Sequence, residues 1–205
     1  MATSLHVRPF VILATVLLLG APACGENQAK VPTNQASMYE TISVNDTSFG
    51  ARKRLSARIV APTAVTHEQR AQTALKAAVD LQKQRRVDAV GVFLEISPGL
   101  AGIGYVLAIA DYAPDGGGWS GSTPFRNGIW EAAATDHVVP DTVIKMAELW
   151  FQHEKKFQVN DGFGGTMTDE SALRKYIAGL IGIDPAEVDL LPLANIITTR
   201  RNYDG

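Results

Sequence analysis

Alternating apolar and polar positions predict four β-strands in the middle of the chain. Over residues 53–61 every second residue is apolar, which is the period of a half-buried strand. Residues 88–96 are apolar at both alternating sets of positions, so this strand, with Leu94, is expected to lie in the core at the centre of the sheet. Further strands are predicted at residues 104–112 and 129–135, the former as a hairpin partner of the central strand.

Helical spacing of apolar residues begins after the first strand. Thr66 and Gln69, three residues apart, form a capping box. The apolar residues that follow recur at positions on one face of a helix, which predicts a helix over residues 67–86. The order of elements up to residue 112 is therefore β-α-β-β, and a stretch dense in turn-forming residues separates it from the strand at 129–135.

The last third of the chain is predicted to be helical. Helices are expected to open at Pro140, at Thr168 and, for a shorter third one, at Asp184. Strands that come first and helices that come last indicate the α+β class, with an antiparallel or mixed sheet and a helical C-terminal part. We expect a single domain over residues 51–205, divided into a sheet part up to residue 138 and a helical part from residue 139.

The N-terminus has the pattern of a signal peptide over residues 1–23. Arg8 precedes an apolar run at residues 11–19, which ends in small residues. This run is shorter than the roughly 20 apolar residues that a transmembrane helix needs. The pattern predicts export of the protein from the cytoplasm.

Two cleavage sites fit the end of this segment. A small residue followed by Cys24, the only cysteine of the chain, resembles the lipobox of bacterial lipoproteins, although Ala21 stands where that motif usually has leucine. The alternative is an ordinary signal site at residues 21–23, which would leave a periplasmic or secreted protein. The position of Cys24 at the junction favours lipidation there and attachment to a membrane of the cell envelope.

Residues 24–50 are predicted to form a flexible tether between the membrane and the folded part. The segment is rich in Asn, Gln, Ser and Thr and has little apolar periodicity. A short strand around residues 38–44 is the alternative for part of it. Within the predicted mature chain Cys24 has no second cysteine to pair with, so a disulfide is excluded and the core must hold the domain together.

Composition and charge exclude some classes of function. The chain has 205 residues, of which 46% are hydrophobic and 20% charged, as in an ordinary globular protein. Its 19 Lys and Arg residues are balanced by 21 Asp and Glu residues, which gives a net charge of -2. A nucleic-acid surface built on bulk positive charge is therefore not expected.

Several short motifs of the sheet part carry a resemblance to a known family. They lie at residues 58–62, at Thr66 with Glu68, Arg70 and Ala71, at residues 88–94 and at residues 110–116. Together they resemble an uncharacterised bacterial and phage domain family whose members are often preceded by lipoprotein signals. The resemblance covers residues 51–135. Because the family has no established activity, it implies no catalytic residue.

Metal and cofactor motifs are incomplete in this sequence. His67-Glu68 and His153-Glu154 each begin a zincin-like motif, but the second histidine is replaced by Ala71 in one and by Phe157 in the other. Both pairs are interpreted as polar helix positions. We predict neither a metal site nor a cofactor.

Acidic residues and a histidine near the strand ends are the candidates for catalysis. Asp111, Glu131 and His137, with Asp115 and Asp136 nearby in sequence, have the side chains of an acid–base pair if the fold brings them together. Their spacing alone does not require this, and solvated loop positions are the alternative. These residues support the hypothesis of an exported hydrolase.

An aromatic, glycine-rich segment is the candidate binding site. Trp119 is flanked by glycine and serine, and Tyr112 and Asp115 lie just before it. Aromatic rings beside short polar groups suit a sugar face or a protein contact, whereas Tyr105 and Trp130 on strands are expected in the core. The favoured hypothesis is therefore a binding module for a protein or glycan ligand in the envelope.

A single structural observation would separate the two hypotheses. If Asp111, Trp119, Glu131 and His137 converged in one open cleft, a site combining aromatic and acid–base groups would be present. If they are dispersed, the sequence-based candidates do not describe one site.

Overall fold

The computed structural model describes residues 30–205. Within this range the chain forms eight strands: β1 (Glu40–Asp46), β2 (Arg54–Val60), β3 (Ala89–Glu95), β4 (Val106–Tyr112), β5 (Trp130–Ala134), β6 (Gln158–Asn160), β7 (Thr166–Thr168) and β8 (Arg201–Tyr203). The helices are α1 (His67–Arg85), α2 (Asp141–His153), α3 (Glu170–Ile181) and α4 (Leu191–Thr198). The predicted signal peptide, both predicted cleavage sites and Cys24 lie outside the described residues.

Six strands form one mixed sheet in the order β1-β2-β3-β4-β5-β8, while β6 and β7 form a separate hairpin. All neighbours in the large sheet are antiparallel except β2 and β3. Parallel neighbours need a crossover connection, and α1 supplies it. The carboxyl ends of β2 and β3 therefore lie at the same edge of the sheet, next to the start of α1.

Helix α1 covers one face of the sheet, where it contacts β3, β4 and β5. Its buried residues, among them Leu75, pack in one cluster with Val92 and Leu94 of β3. Thr66 and Gln69 form the predicted capping box, and the helix ends at Arg86 in a left-handed conformation with φ 52°. Leu94 is 0% exposed and β3 is flanked by strands on both sides, which confirms its central position.

The opposite face carries the other set of alternating side chains. Ser56, Gly91, Asp111 and Glu131 are paired in register and form a row across β2 to β5. Because successive side chains of a strand point to opposite faces, this row lies on the face away from α1. The connection between β4 and β5, residues 113–129, packs against one end of this face.

The predicted mixed α+β class is confirmed, and the strands and the first helix lie within one to two residues of their predicted bounds. The flexible tether predicted over residues 24–50, however, is too long, because part of this range is folded. Residues 40–46 form the edge strand β1, close to the alternative strand at residues 38–44. Before it, the backbone N–H groups of Gln35 and Ser37 donate hydrogen bonds to Gln72 and Thr73 of α1.

The C-terminal part is less uniformly helical than expected. It contains the hairpin β6–β7 and ends in β8, which pairs with β5 and completes the sheet. The short helix expected at Asp184 is one 3-10 turn, Pro185–Glu187, with the Asp184 side chain at its N-cap. Among residues 30–205 no helix combines the length and the apolar character needed to cross a membrane.

Candidate functional site

Asp111 and Glu131 form a pair of carboxyl groups across neighbouring strands. They are direct partners in the register of β4 and β5, so their side chains stand next to each other on the same face. The backbone N–H of Arg126 donates to Glu131 Oε2 at 3.4 Å. Burial raises the pKa of Asp111 to about 6, and the negative charge of Glu131 adds to this effect. Asp111 is thus able to hold a proton close to neutral pH.

Trp119 lies beside this pair because β3 has a glycine at the contact point. A Cβ atom on Gly91 would lie 2.8 Å from Asp111 Oδ1 and 3.4 Å from Trp119 Cη2. The guanidinium of Arg54 stacks over the indole with its Cζ 5.2 Å from the ring centroid. The indole is therefore partly buried between the sheet and an arginine.

Two arginines of the β2 region hold the segment that contains Trp119 against the sheet. Arg52 forms a forked pair with the Asp115 carboxylate at 2.8 and 3.1 Å and also donates to the carbonyl of Gly118. Gly118 has φ 58°, and a Cβ on it would lie 2.0 Å from the carbonyl oxygen of Thr123, so only glycine fits there. The segment packs back against the domain, and Trp119 is half-buried there.

Of the other predicted binding residues, Tyr112 lies on the opposite face of the sheet from Trp119, and Asp115 is paired with Arg52. Tyr112 is 8% exposed and packs in the core on the side of α1, because it follows Asp111 and points to the opposite face. Asp115 is used by Arg52, whose hydrogen bonds hold the pKa of the Asp115 carboxyl below its usual range. Trp130 is buried, as expected.

His137 lies away from the carboxyl pair. Six residues beyond Glu131, it follows the end of β5, and its Nε2 is 3.1 Å from the carbonyl oxygen of Pro192. Asp136 pairs with Arg201 at 3.0 Å near the surface. Of the four residues whose convergence was in question, Asp111, Glu131 and Trp119 come together, and His137 does not.

A cleft of about 860 Å³ opens at the edge of the sheet where β2 and β3 end. Its walls come from the start of β1, the turns after β2 and β3, the first residues of β4, and the segment that leads from β5 into α2. Most of the side chains along it are apolar, including Val60, Leu107 and Ile144. His137 borders this cleft, so the structure assigns it to a different place from Asp111.

Arg70 is the residue of α1 that lines the cleft, and its side chain is buried. It is 5% exposed and donates from Nε to the carbonyl of Ala64 at 3.0 Å. Its Nη1 donates to the carbonyls of Thr135 and His137 at 2.6 and 2.9 Å. Burial lowers the pKa of Arg70, with a smaller opposing effect of Asp136. A guanidinium that joins three separate chain segments is both a structural clamp and a positive charge at the cleft.

The opposite wall holds two buried polar atoms that lack hydrogen-bond partners within residues 30–205. They are the hydroxyl oxygen of Ser97 and Oε2 of Glu95. The other oxygen of Glu95 accepts from Arg58 and from the N–H of Gly102. Buried polar atoms are nearly always paired, so unpaired ones beside a cleft indicate where a ligand can bind.

The family is shown by sequence comparison. The model of a domain of unknown function, DUF4875, matches residues 34–192. The chain belongs to this family. The match extends well beyond residues 51–135, where the resemblance had been expected to end, and includes β1 and the cleft walls at Arg70, Ser97 and His137.

One solved structure supports the fold of the DUF4875 domain. It is the crystal structure, at 2.49 Å resolution, of a DUF487 family protein from Desulfovibrio piger ATCC 29098. The two chains are 28% identical with a TM-score of 0.64, and the similarity covers 83% of this chain and 96% of that chain. No curated protein matches this chain significantly. The comparisons thus establish the family and its architecture.

Sequence reasoning about the DUF4875 domain did not find the cleft. The signal that could have revealed it is Arg70, a charged residue at the start of a helix whose following positions, such as Ala71 and Ala74, are buried and small. Glu95 is a second such signal, because it is the only charged residue of the otherwise apolar strand β3. Within residues 30–205 no group of three or more His, Cys, Asp or Glu side chains is arranged to hold a metal ion.

Proposed function

We propose that this DUF4875 protein is an exported, lipid-anchored binding module of the cell envelope, and that the cleft at the ends of β2 and β3 is its ligand site. The N-terminal pattern that ends at Cys24 supports export and anchoring. Its partners would then be a membrane, through the lipid, and a ligand in the envelope. The proposal includes no nucleic-acid partner, given the net charge of -2.

The observation that carries the binding function is the cleft itself. Ligand sites are commonly clefts of about 300–1,000 Å³, mainly apolar, with a few polar groups that fix orientation. The cleft has a volume of about 860 Å³ and is lined mostly by apolar side chains. Arg70, Ser97 and Glu95 supply the polar groups.

The test is a thermal-shift screen of small molecules with three proteins. Val65, at the rim of the cleft, is 53% exposed, so Val65→Trp blocks the cleft without disturbing the core. Val159→Trp, at an exposed position in the hairpin β6–β7, is the matched control. Compounds that occupy the cleft should raise the melting temperature of the wild type and of Val159→Trp but not of Val65→Trp. If the compounds raise the melting temperature of Val65→Trp as much as that of the wild type, they bind outside the cleft.

The carboxyl pair favours a second function, that of an exported hydrolase. Asp111, with a pKa of about 6, has the properties of a proton donor near neutral pH, and Glu131 beside it those of its basic partner. His137 takes no part in this version, since it borders the cleft instead. Hydrolysis of a panel of chromogenic esters and glycosides that is lost in Asp111→Asn and kept in Asp115→Asn would support the hydrolase.

A further inference from the structure

Arg70 carries a buried positive charge, and no carboxylate of residues 30–205 accepts a hydrogen bond from it; Asp136, whose charge acts on Arg70, is paired with Arg201. Each hydrogen bond that the guanidinium forms with residues 30–205 goes to a neutral backbone carbonyl, that of Ala64, Thr135 or His137. Among the ion pairs of the described residues, Arg70 takes part in none. These bonds use Nε and Nη1, so the two N–H groups of Nη2 form no hydrogen bond with residues 30–205, and Arg70 is one of the residues that line the cleft.

A buried charge without a counter-ion is costly, since carbonyl dipoles replace only part of the hydration that burial removes. An anion in the cleft would recover that loss, because a charge-assisted hydrogen bond from an arginine N–H is roughly twice as strong as one between neutral groups. The charge of Arg70 thus specifies an anionic group.

The negative residues of the cleft do not cancel this preference. Glu95 is balanced by Arg58, with which it forms an ion pair. Glu40 and Asp141 are exposed at the rim, where water and salt screen their charge. Arg70 is therefore the unbalanced charge in the buried part of the wall.

The apolar side chains that line the cleft indicate what the uncharged part of the ligand is. Val60, Leu107 and Ile144 line the cleft, and burial of apolar surface against them favours a hydrocarbon or aromatic group. We propose that the cleft binds a small organic acid, whose carboxylate lies on Arg70 and whose apolar body lies along these side chains. This inference rests on the proposed binding function and names its class of ligand.

The experiment compares three probes of equal length and different charge: octanoate, octan-1-ol and octylamine. Binding of each to the purified protein is measured by isothermal titration calorimetry below the concentration at which the probe aggregates. Octanoate is expected to bind at least about tenfold more tightly than the alcohol, which is the effect of one charge-assisted hydrogen bond. The amine should bind least.

A substitution beside Arg70 tests the position of the carboxylate. Removing Arg70 would break the clamp between three segments, so the variant is made at Val138, which is 69% exposed, borders the cleft and follows the His137 carbonyl that accepts from Arg70. Val138→Asp supplies a tethered carboxylate; Val138→Asn is the neutral control of the same shape. The Asp variant should melt higher and bind octanoate about tenfold more weakly, whereas the Asn variant should do neither.

The outcomes separate this inference from the proposed function. If the three probes bind with equal affinity and all are excluded by Val65→Trp, the cleft is a binding site but the preference for an acid is refuted. Tighter binding of octylamine refutes it as well. If no probe binds and the screen finds no ligand that Val65→Trp excludes, the proposed function of the cleft as a ligand site is refuted.

Discussion

Gly91 sets the distance between the central strand and the groups on the face away from α1. Both Asp111 and Trp119 approach the position of its missing side chain, at 2.8 and 3.4 Å from a Cβ placed there. A glycine in the middle of a central strand is unfavourable for the backbone, so its presence indicates a close contact at that point. The contact here is with a carboxyl group and an indole.

Gly91→Ala is therefore expected to lower the free energy of unfolding by about 1–3 kcal/mol, the usual effect of overpacking. The Asp111 side chain would have to move, and with it the pairing with Glu131. Gly179→Ala in α3 is the control, since its Cβ would have open space and alanine favours a helix by about 0.5–1 kcal/mol. Urea melts measure both. Equal effects of the two substitutions would contradict the close packing at Gly91.

The raised pKa of Asp111 makes stability depend on pH in a defined direction. Because burial raises this pKa to about 6 in the folded state, the folded protein holds a proton that the unfolded chain releases near pH 4. The penalty for charging Asp111 is therefore absent below about pH 4, grows as pH rises through about 6 and is constant above. Asp111→Asn removes that penalty.

We expect Asp111→Asn to be more stable than the wild type at pH 7.5, by about 1–3 kcal/mol, and to lose this advantage at pH 4. Urea melts of both proteins at the two pH values measure the difference. Asp115→Asn provides a comparison of opposite sign, since Arg52 lowers the pKa of Asp115. An advantage of Asp111→Asn that does not change with pH would exclude Asp111 as the titrating group.

At the scale of elements, the sequence predicted the longer helices and strands whose apolar residues recur at a regular period. Strands β2, β3, β4 and β5 and helix α1 follow their apolar periods closely, because each is buried on at least one face. Strand β1 is an edge strand with mostly exposed residues and a register shift between Thr41 and Ser43, so its alternation is broken. Strand β8 has three residues, too few for any period.

The site was less predictable because it depends on pairing between elements. Asp111 and Glu131 are neighbours only through the register of β4 and β5, which no local pattern specifies. Because side chains alternate between the two faces of a strand, Tyr112 points to the face opposite Asp111. His137 lies after β5 has ended at residue 134. Arg70 depends on two carbonyls of one distant segment, at Thr135 and His137, and no local pattern indicates such bonds.

The segment between β4 and β5 is expected to contribute less to stability than the core of the sheet. Trp119→Ala removes the indole that packs on Gly91 and under Arg54, and we expect a loss of about 1–2 kcal/mol, as for a partly buried side chain. Leu94→Ala in the core of β3 should cost about 2–5 kcal/mol. Denaturant melts compare them. If Trp119→Ala lowers the free energy of unfolding as much as Leu94→Ala, the indole is a core residue. If it causes no loss, the indole does not contribute to stability and remains a candidate recognition residue.

At the scale of the whole molecule, the prediction concerns the N-terminal segment and its role in attaching the folded domain to a membrane. We predict that the mature protein begins at Cys24 and carries lipid on that residue, since the apolar run and the small residues end there. One acyl chain binds a membrane weakly, at about 0.8 kcal/mol per buried CH₂, and two signals anchor it stably. Mass spectrometry of the mature N-terminus decides the matter, with Cys24→Ser as the control. An unmodified chain that starts at residue 24, or one that retains residues 1–23, would refute the prediction.

Strand β8 imposes an order on folding. Five strands of the sheet follow one another along the chain, but the free side of β5 is paired only when residues 201–203 arrive. Tyr203 then packs near Trp130, and its hydroxyl oxygen accepts a hydrogen bond from the side-chain amide of Gln72, 131 residues earlier in the chain. A contact between residues so far apart forms late, because a long loop must close first. Synthesis therefore has to reach residues 201–203 before the six-stranded sheet can be completed.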